Sequence, residues 1–365
     1  MIDFIPLQNY YDIYLNVVFF VVAFILLHTY TLTGYEKKVY NLNRILSLFL
    51  LIFLVFYLGL RPVSGMYFTD MSTYADVFKW YVAGRPLYLE GDIGFDVFMY
   101  VMAKIGSIDL FFLVCIILYI LPLYKACKIW FPNYYLFAFI MLTASFSFYT
   151  YGVNGMRNGI ATSLFIYGIA LHKRKTLMIL VLFLYISMHQ SMQLPVLAFV
   201  LTYFVNDTKK YFTFWVLSIF LSIVMGPTLV SLFSQLGLGG EKLGGYLDTK
   251  PLAKDYSSIG FRYDFLIYSA MPVFAGYYFV IKKKYADVLY KRILNTYLIC
   301  NAMWIMINTA NFSNRFAYIS WFLMGLVICY PYLKEVFWEK QFHKIGIITL
   351  LYFGFTYFMS YVYYG

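Results

Sequence analysis

Apolar runs of near twenty residues follow one another along almost the whole chain, separated by short polar punctuation. Wound as an α-helix, a run of that length crosses a hydrocarbon core of about 30 Å. A membrane β-strand would instead need segments of roughly ten residues with alternating polarity. The pattern predicts twelve spans, near 14–32, 45–60, 109–124, 133–150, 157–171, 176–188, 192–204, 211–232, 263–281, 293–309, 313–331 and 345–363. The pair 176–188 and 192–204 is short enough to be broken or re-entrant. FDVFMYVMAK (Phe95–Lys104) is too short to cross and reads as a half-helix or an interfacial helix. Such backbone survives at membrane depth only when buried in protein or lining a wet cavity. The expected fold is therefore all-α, a polytopic bundle forming one transmembrane domain over 1–365. No internal repeat or linker divides it, and two long loops, 61–94 and 234–262, interrupt it.

Composition agrees with this pattern: 62% of the 365 residues are hydrophobic and 12% charged, where soluble domains carry about 25% charged residues. A net charge of +11 reads as topology rather than nucleic-acid binding, because no basic-aromatic recognition motif accompanies it. Cys115, Cys300 and Cys329 sit in apolar runs and Cys127 beside a short basic loop. With no CxxC pair, packed thiols are expected rather than a disulfide or a zinc site. The start, MIDFIPLQNYYD, is acidic and lacks a basic n-region, so the first span is expected to be retained rather than cleaved.

Placing the N-terminus outside puts most lysines, among them Lys37, Lys38, Lys125, Lys128, Lys173 and Lys175, on inner loops. That is the positive-inside arrangement, and it leaves both long loops and the C-terminus outside. The arginines divide the other way: Arg61, Arg85, Arg157, Arg262 and Arg315 fall outside, and only Arg44, Arg174 and Arg292 inside. Topology needs only charge, which lysine supplies. Arginine at helix mouths suits the gripping of something planar and anionic, since its fork matches phosphate and carboxylate oxygens. The alternative is snorkelling to lipid headgroups.

Four polar patches fall on that side. In YGVNGMRNGIATS (Tyr151–Ser163), Gly155, Gly159 and Ser163 form a small-residue stripe that admits a neighbouring helix. Asn154, Arg157 and Asn158 form a cationic, amide-rich mouth beside it. Together with the helix-start amides they suit a phosphate, or otherwise an N-terminal cap with a snorkelling arginine. In MHQSMQLP (Met188–Pro195), His189 lies at an outer break among polar neighbours, unlike His28, His172 and His343. It is a candidate general base, although a lone histidine is more often structural. GLRPVSGMYFTDMSTY (Gly59–Tyr74) and LEGDIGFD (Leu89–Asp96) offer Arg61, Asp70, Tyr74 and Glu90, whereas Asp76, Asp92 and Asp96 read as solvated loop positions. NFSNRFAYIS (Asn311–Ser320) repeats the Asn-plus-Arg theme at Arg315. No nucleotide cradle, H-E-x-x-H or G-x-S-x-G occurs. The D-x-D triplet of metal-bound sugar-nucleotide transfer is also missing, so arginines would have to neutralise a phosphate leaving group. No cofactor or metal is expected.

These patches together resemble the EpsG-like, Wzy-type polymerases of bacterial exopolysaccharide, capsule and O-antigen. The resemblance runs from about Arg61 to Arg315. It rests on GLRP followed by TD and Tyr74, Glu90 before the GFD re-entry, GMRNGIA, the MHQS histidine and NRF. One departure is Arg157-Asn158, where Arg-Gln is the family's pairing. The resemblance implies a bundle of the GT-C glycosyltransferase kind in the bacterial plasma membrane, working at its extracytoplasmic face. There a growing glycan on undecaprenyl pyrophosphate would be transferred to a sugar hydroxyl of a new lipid-linked repeat unit. It implies Arg157 and Arg315 on the pyrophosphate with Arg61 in support, and His189 as base or hydroxyl partner. Asp70 and Glu90 would orient sugar or hold Arg61, while Tyr74, Asn154, Asn158 and Arg262 complete the substrate-binding set. The implied partners are the lipid-linked oligosaccharides, membrane lipids, and a flippase and chain-length regulator of the same pathway, with no nucleic acid. Two other readings stay open. One is a lipid-linked-oligosaccharide flippase, which would show a polar path to both sides. The other is a membrane O-acyltransferase with His189 as base.

Overall fold

The computed structural model describes residues 2–32, 37–89, 91–189, 193–235, 261–310 and 313–363. Among them every long element is helical and there is no strand. In chain order these are α1 (Tyr10–Thr31), α2 (Lys37–Gly59), α3 (Thr69–Val82), α4 (Ile93–Ile105), α5 (Ile108–Trp130), α6 (Tyr135–Thr143), α7 (Phe148–Val153) and α8 (Met156–Ala170). There follow α9 (Lys175–Met188), α10 (Gln193–Phe204), α11 (Thr208–Gln235), α12 (Tyr263–Tyr277), α13 (Val288–Met306), α14 (Ser313–Trp321), α15 (Met324–Lys334) and α16 (Gln341–Phe358).

The chain is a polytopic all-α membrane protein, but seven described segments, not twelve, are long and apolar enough to cross. They are Leu7–Thr31, Asn41–Gly59, Ile108–Trp130, Thr208–Phe233, Tyr263–Lys282, Phe316–Lys334 and Gln341–Val362. The difference has a physical cause. Hydropathy alone does not separate side chains that face lipid from those packed against protein. The expected span 133–150 is two pieces, of 9 and 6 residues, and all nine residues of α6 are buried. Helix α8 has 15 residues, about 22 Å at 1.5 Å per residue, and α9 and α10 are shorter still. Helix α13 has the length, with 19 residues, but holds buried Asn295, Thr296 and Asn301.

The expected loop 61–94 also differs, because it contains α3. The buried Met71, Tyr74, Ala75, Phe78 and Tyr81 recur there at helical spacing. The short apolar piece beyond it is α4, of 13 residues. Within the second expected loop, 236–260 lies outside the described residues.

The chain divides into two compact units, Met1–His189 with Tyr332–Gly365, and Gln190–Pro331. In the first, α5 packs on α2 and α8, α1 on α16, and α9 on α8. The early end of α6 leaves helix-terminal carbonyls that need donors. The Tyr14 hydroxyl donates to the Thr143 carbonyl at 2.6 Å, and the Thr356 hydroxyl to that of Ala144 at 3.1 Å. The Tyr119 hydroxyl similarly donates to Phe148 at 3.1 Å. Gly159 lets α8 run this close to its neighbours, since a Cβ there would lie 2.8 Å from the Tyr151 carbonyl oxygen and 3.2 Å from the Tyr119 ring.

In the second unit, α13 is the central helix, and two of its polar side chains, Asn301 and Tyr297, bond neighbouring helices. The Trp215 indole donates to Asn301 Oδ1 at 2.7 Å, and Asn301 Nδ2 to Ser320 Oγ at 3.0 Å. The Tyr297 hydroxyl donates to the Ser269 carbonyl and the Trp321 indole to Ser269 Oγ, both at 2.7 Å. All four cysteines are buried and free.

Candidate functional site

Helix α8 starts after a tight exit from α7, with Gly155 at its N-cap and Arg157 in its first turn. Glycine has no side chain to bond the first amides, so the start of α8 keeps its positive character. Arg157 reaches back to two other elements. Its Nη1 donates to Asp92 Oδ2, and its Nε donates to the Tyr74 hydroxyl at 3.2 Å. The guanidinium also lies against the rings of Tyr74 and Phe95, at 5.6 and 5.9 Å from their centroids. The ion pair is largely sheltered, with 24% of the Arg157 side chain and 10% of Asp92 exposed.

Burial opposes the charge on Arg157, but the Tyr74 oxygen, Asp92 and Asp96 outweigh it and hold the guanidinium above its usual range. Burial raises Tyr74 despite the adjacent Arg157, so its hydroxyl stays protonated at neutral pH. Two of the five guanidinium N–H groups are thus engaged among the described residues.

Backbone conformation delivers Asp92 to this place. Gly91, at φ +87°, occupies the left-handed region that glycine enters without steric cost. Asp92 then stands at the N-cap of α4 without its side chain bonding that helix's amides. Gly94 allows α4 to start against the end of α9, because a Cβ there would lie 2.8 Å from Ser187 Cβ and 3.0 Å from its carbonyl carbon. His189, half-buried and extended at φ −159°, ends α9 two residues beyond that contact. The end of α9 and the start of α4 therefore lie side by side.

The sequence candidates fall as follows. Tyr74, Asn154, Arg157 and Asn158 gather at the start of α8, with Asp70 half-buried one turn before Tyr74. The Oδ1 atoms of Asn154 and Asn158 are buried without a described hydrogen-bond partner. Arg61 is 1% exposed and bonds the chain itself. Arg262 belongs to the second unit, where Nε and Nη2 grip both oxygens of Asp264, at 2.9 and 2.5 Å, and the guanidinium covers Phe265 at 3.8 Å. Glu90 and the Arg315 side chain lie outside the described residues.

Asp92 and Phe95 were missed in sequence. The available signal was G-D ahead of an amphipathic run, which reads as a helix start, but nothing local pairs it with an arginine. Asp76 is exposed and pairs with Lys79, at 3.7 Å.

The Arg157 cluster, with Tyr74, Asp92 and Phe95, occupies one end of the first unit. Tyr57, late in α2, donates to the Tyr10 carbonyl at the start of α1, at 2.7 Å. Tyr11 shares a 2.7 Å hydrogen bond with Ser360 beyond α16. The opposite end carries lysines against aromatic rings, with Lys128 over Tyr124 at 5.6 Å, Lys334 over Phe131 at 5.6 Å and Lys344 over Trp338 at 4.0 Å. Helix α5, 23 residues long and so about 35 Å, separates the two ends.

The sequence profile of the EpsG family matches residues 44–365. No curated protein and no solved structure matches the chain.

Proposed function

The chain belongs to the EpsG family, the family of Wzy-type polysaccharide polymerase-like proteins, and on that premise we propose that it is a membrane glycosyltransferase. It lengthens a polysaccharide at the extracytoplasmic face of the bacterial plasma membrane. Its donor is a growing glycan on undecaprenyl pyrophosphate, and its acceptor is a lipid-linked repeat unit supplied by a flippase. The observation that carries this reading is the Arg157 fork. It is oriented by Asp92 and Tyr74 at the start of α8, with N–H groups to spare among the described residues, at the end of the unit away from Lys128, Lys334 and Lys344. That lysine end suits the cytoplasm.

In the proposed reaction the acceptor hydroxyl oxygen attacks the anomeric carbon of the donor. The bond from that carbon to the pyrophosphate oxygen breaks, and the lipid pyrophosphate leaves with the electron pair. The hydroxyl proton passes to His189 or to a water it orients, a contribution of typically 10²–10⁴-fold. Charge grows on the leaving oxygen, where a preorganised guanidinium is most effective. The free acceptor atoms of Asn154 and Asn158 suit donating sugar hydroxyls next to the diphosphate. The gathering of Tyr74, Asp92 and Arg157 at one end of the unit favours transfer over transport.

The test is incubation of purified protein with a lipid-pyrophosphate-linked repeat unit. A ladder of longer glycans is expected. Unchanged substrate, where an established Wzy-type polymerase extends it, would refute the proposal.

A further inference from the structure

Arg61 follows α2 directly and would be expected, as an arginine at a helix mouth, to face headgroups or substrate. It does neither. With 1% exposure, it donates from Nη1 to the Leu58 carbonyl and from Nη2 to the Val153 carbonyl at 3.1 Å, and lies 3.7 Å from Met156 Sδ. The rings of Phe68 and Phe112 cover it at 5.4 and 6.0 Å. Among the described residues no carboxylate pairs with it. Its counter-charge comes from the carbonyl ends of two helices, α2 and α7, where the helix dipoles are negative. Burial lowers its pKa to about 10, so it is charged at neutral pH.

Val153 and Met156 bracket Asn154 and Gly155, the two residues that join α7 to α8. Arg157 comes next. One guanidinium therefore ties the end of α2 to the joint from which the anion-gripping arginine projects. The two Nη groups of one planar fork serve both carbonyls, whereas lysine, a point charge on a flexible stem, lacks the planar fork that spans them.

Resting on the polymerase reading, we infer that Arg61 is a positioning residue that never touches the lipid diphosphate and acts by fixing the α7–α8 joint, and so the aim of Arg157.

The test labels the full-length protein in lipid nanodiscs with phenylglyoxal, which modifies accessible arginines, with and without undecaprenyl pyrophosphate. Peptide mass spectrometry reads each arginine, and exposed Arg85 serves as internal reference. In the wild type, Arg157 should label and be shielded by the probe, while Arg61 should label only after denaturation in detergent. Labelling of Arg61 in the folded protein, with shielding by the probe, would overturn the inference. In Arg61→Lys, the labelling rate of Arg157 relative to Arg85 should change several-fold well below the melting temperature, which a loss of global stability alone would not cause. Elongation should fall roughly ten- to 100-fold at saturating substrate, as expected for a misaimed group, with half-saturation nearly unchanged. An unchanged Arg157 rate, or a rise in half-saturation at unchanged turnover, would equally overturn it. If the wild type elongates nothing, the polymerase reading fails, whereas the wild-type labelling still decides whether Arg61 meets the diphosphate. The labelling also decides the matter if Arg61→Lys does not fold.

Discussion

Replacing Arg157 by lysine separates charge from geometry at the centre of the proposed site. Arginine offers five N–H groups in a plane. Among the described residues Asp92 and Tyr74 engage two of them, and the proposed function gives the other three to the diphosphate. Lysine offers three in all, on one nitrogen. If it keeps Asp92 it can turn at most two toward a ligand, and it cannot hold Tyr74 at the same time. The bidentate grip on phosphate is then lost while the net charge is unchanged. Losing one donor aimed at developing negative charge costs about 2.7–4 kcal/mol, or roughly 10²–10³ in rate. Arg157→Lys should therefore elongate a lipid-linked repeat unit at least about 100-fold more slowly while melting close to the wild-type temperature, since its ammonium still faces Asp92. The assay is the initial rate of ladder formation on gels, with thermal unfolding measured on the same preparation. A lysine variant that elongates within a few-fold of wild type would refute the claim that the fork, and not merely its charge, does the work.

Three further outcomes follow from the same geometry. Tyr74→Phe keeps the ring beneath the guanidinium and removes only the 3.2 Å bond to Nε, so elongation should drop roughly fivefold for about 1 kcal/mol lost; equal damage from Phe and Ala would contradict this. Gly94→Val drives a side chain into Ser187, including its carbonyl carbon at 3.0 Å, and should lower the melting temperature through an overpacking cost of about 1–3 kcal/mol while reducing elongation. Gly354→Ala, where nothing lies within 4 Å, should do neither. If His189 takes the acceptor proton it must be neutral, so elongation should fall as pH drops through the range where an imidazole protonates. His189→Gln should remove that limb along with most of the rate, and an unaltered pH profile in this variant would exclude His189 as the base.

The all-helical membrane fold was legible because lipid-length apolar runs announce themselves locally. The start of α8 was legible for a similar reason, since Gly155 and Gly159 punctuate it and Arg157 sits where an apolar run begins. The number of spans was not. An apolar side chain reads the same whether it is exposed, as Phe183 is at 72%, or sealed in protein, as Phe137 is at 0%. The wiring of the site was hidden too, because its contacts are remote in sequence. Asp92 meets Arg157 across 65 positions and Tyr74 meets it across 83. Nothing in LEGDIGFD distinguishes the aspartate that holds an arginine from one that faces water. The same holds for the arginines: Arg61, Arg157 and Arg262 look alike as helix-mouth cations, yet one clamps backbone carbonyls, one is held by Asp92 and Tyr74 from remote elements, and one grips its near neighbour Asp264.

The central claim is that Arg157 receives the departing lipid diphosphate, and the leaving group itself tests it. The measurement is the affinity of undecaprenyl pyrophosphate for purified wild-type and Arg157→Ala protein in nanodiscs. Loss of a charge-assisted, forked contact of about 2–3 kcal/mol predicts binding weakened roughly 30- to 150-fold. Affinities that agree within experimental error would contradict the account.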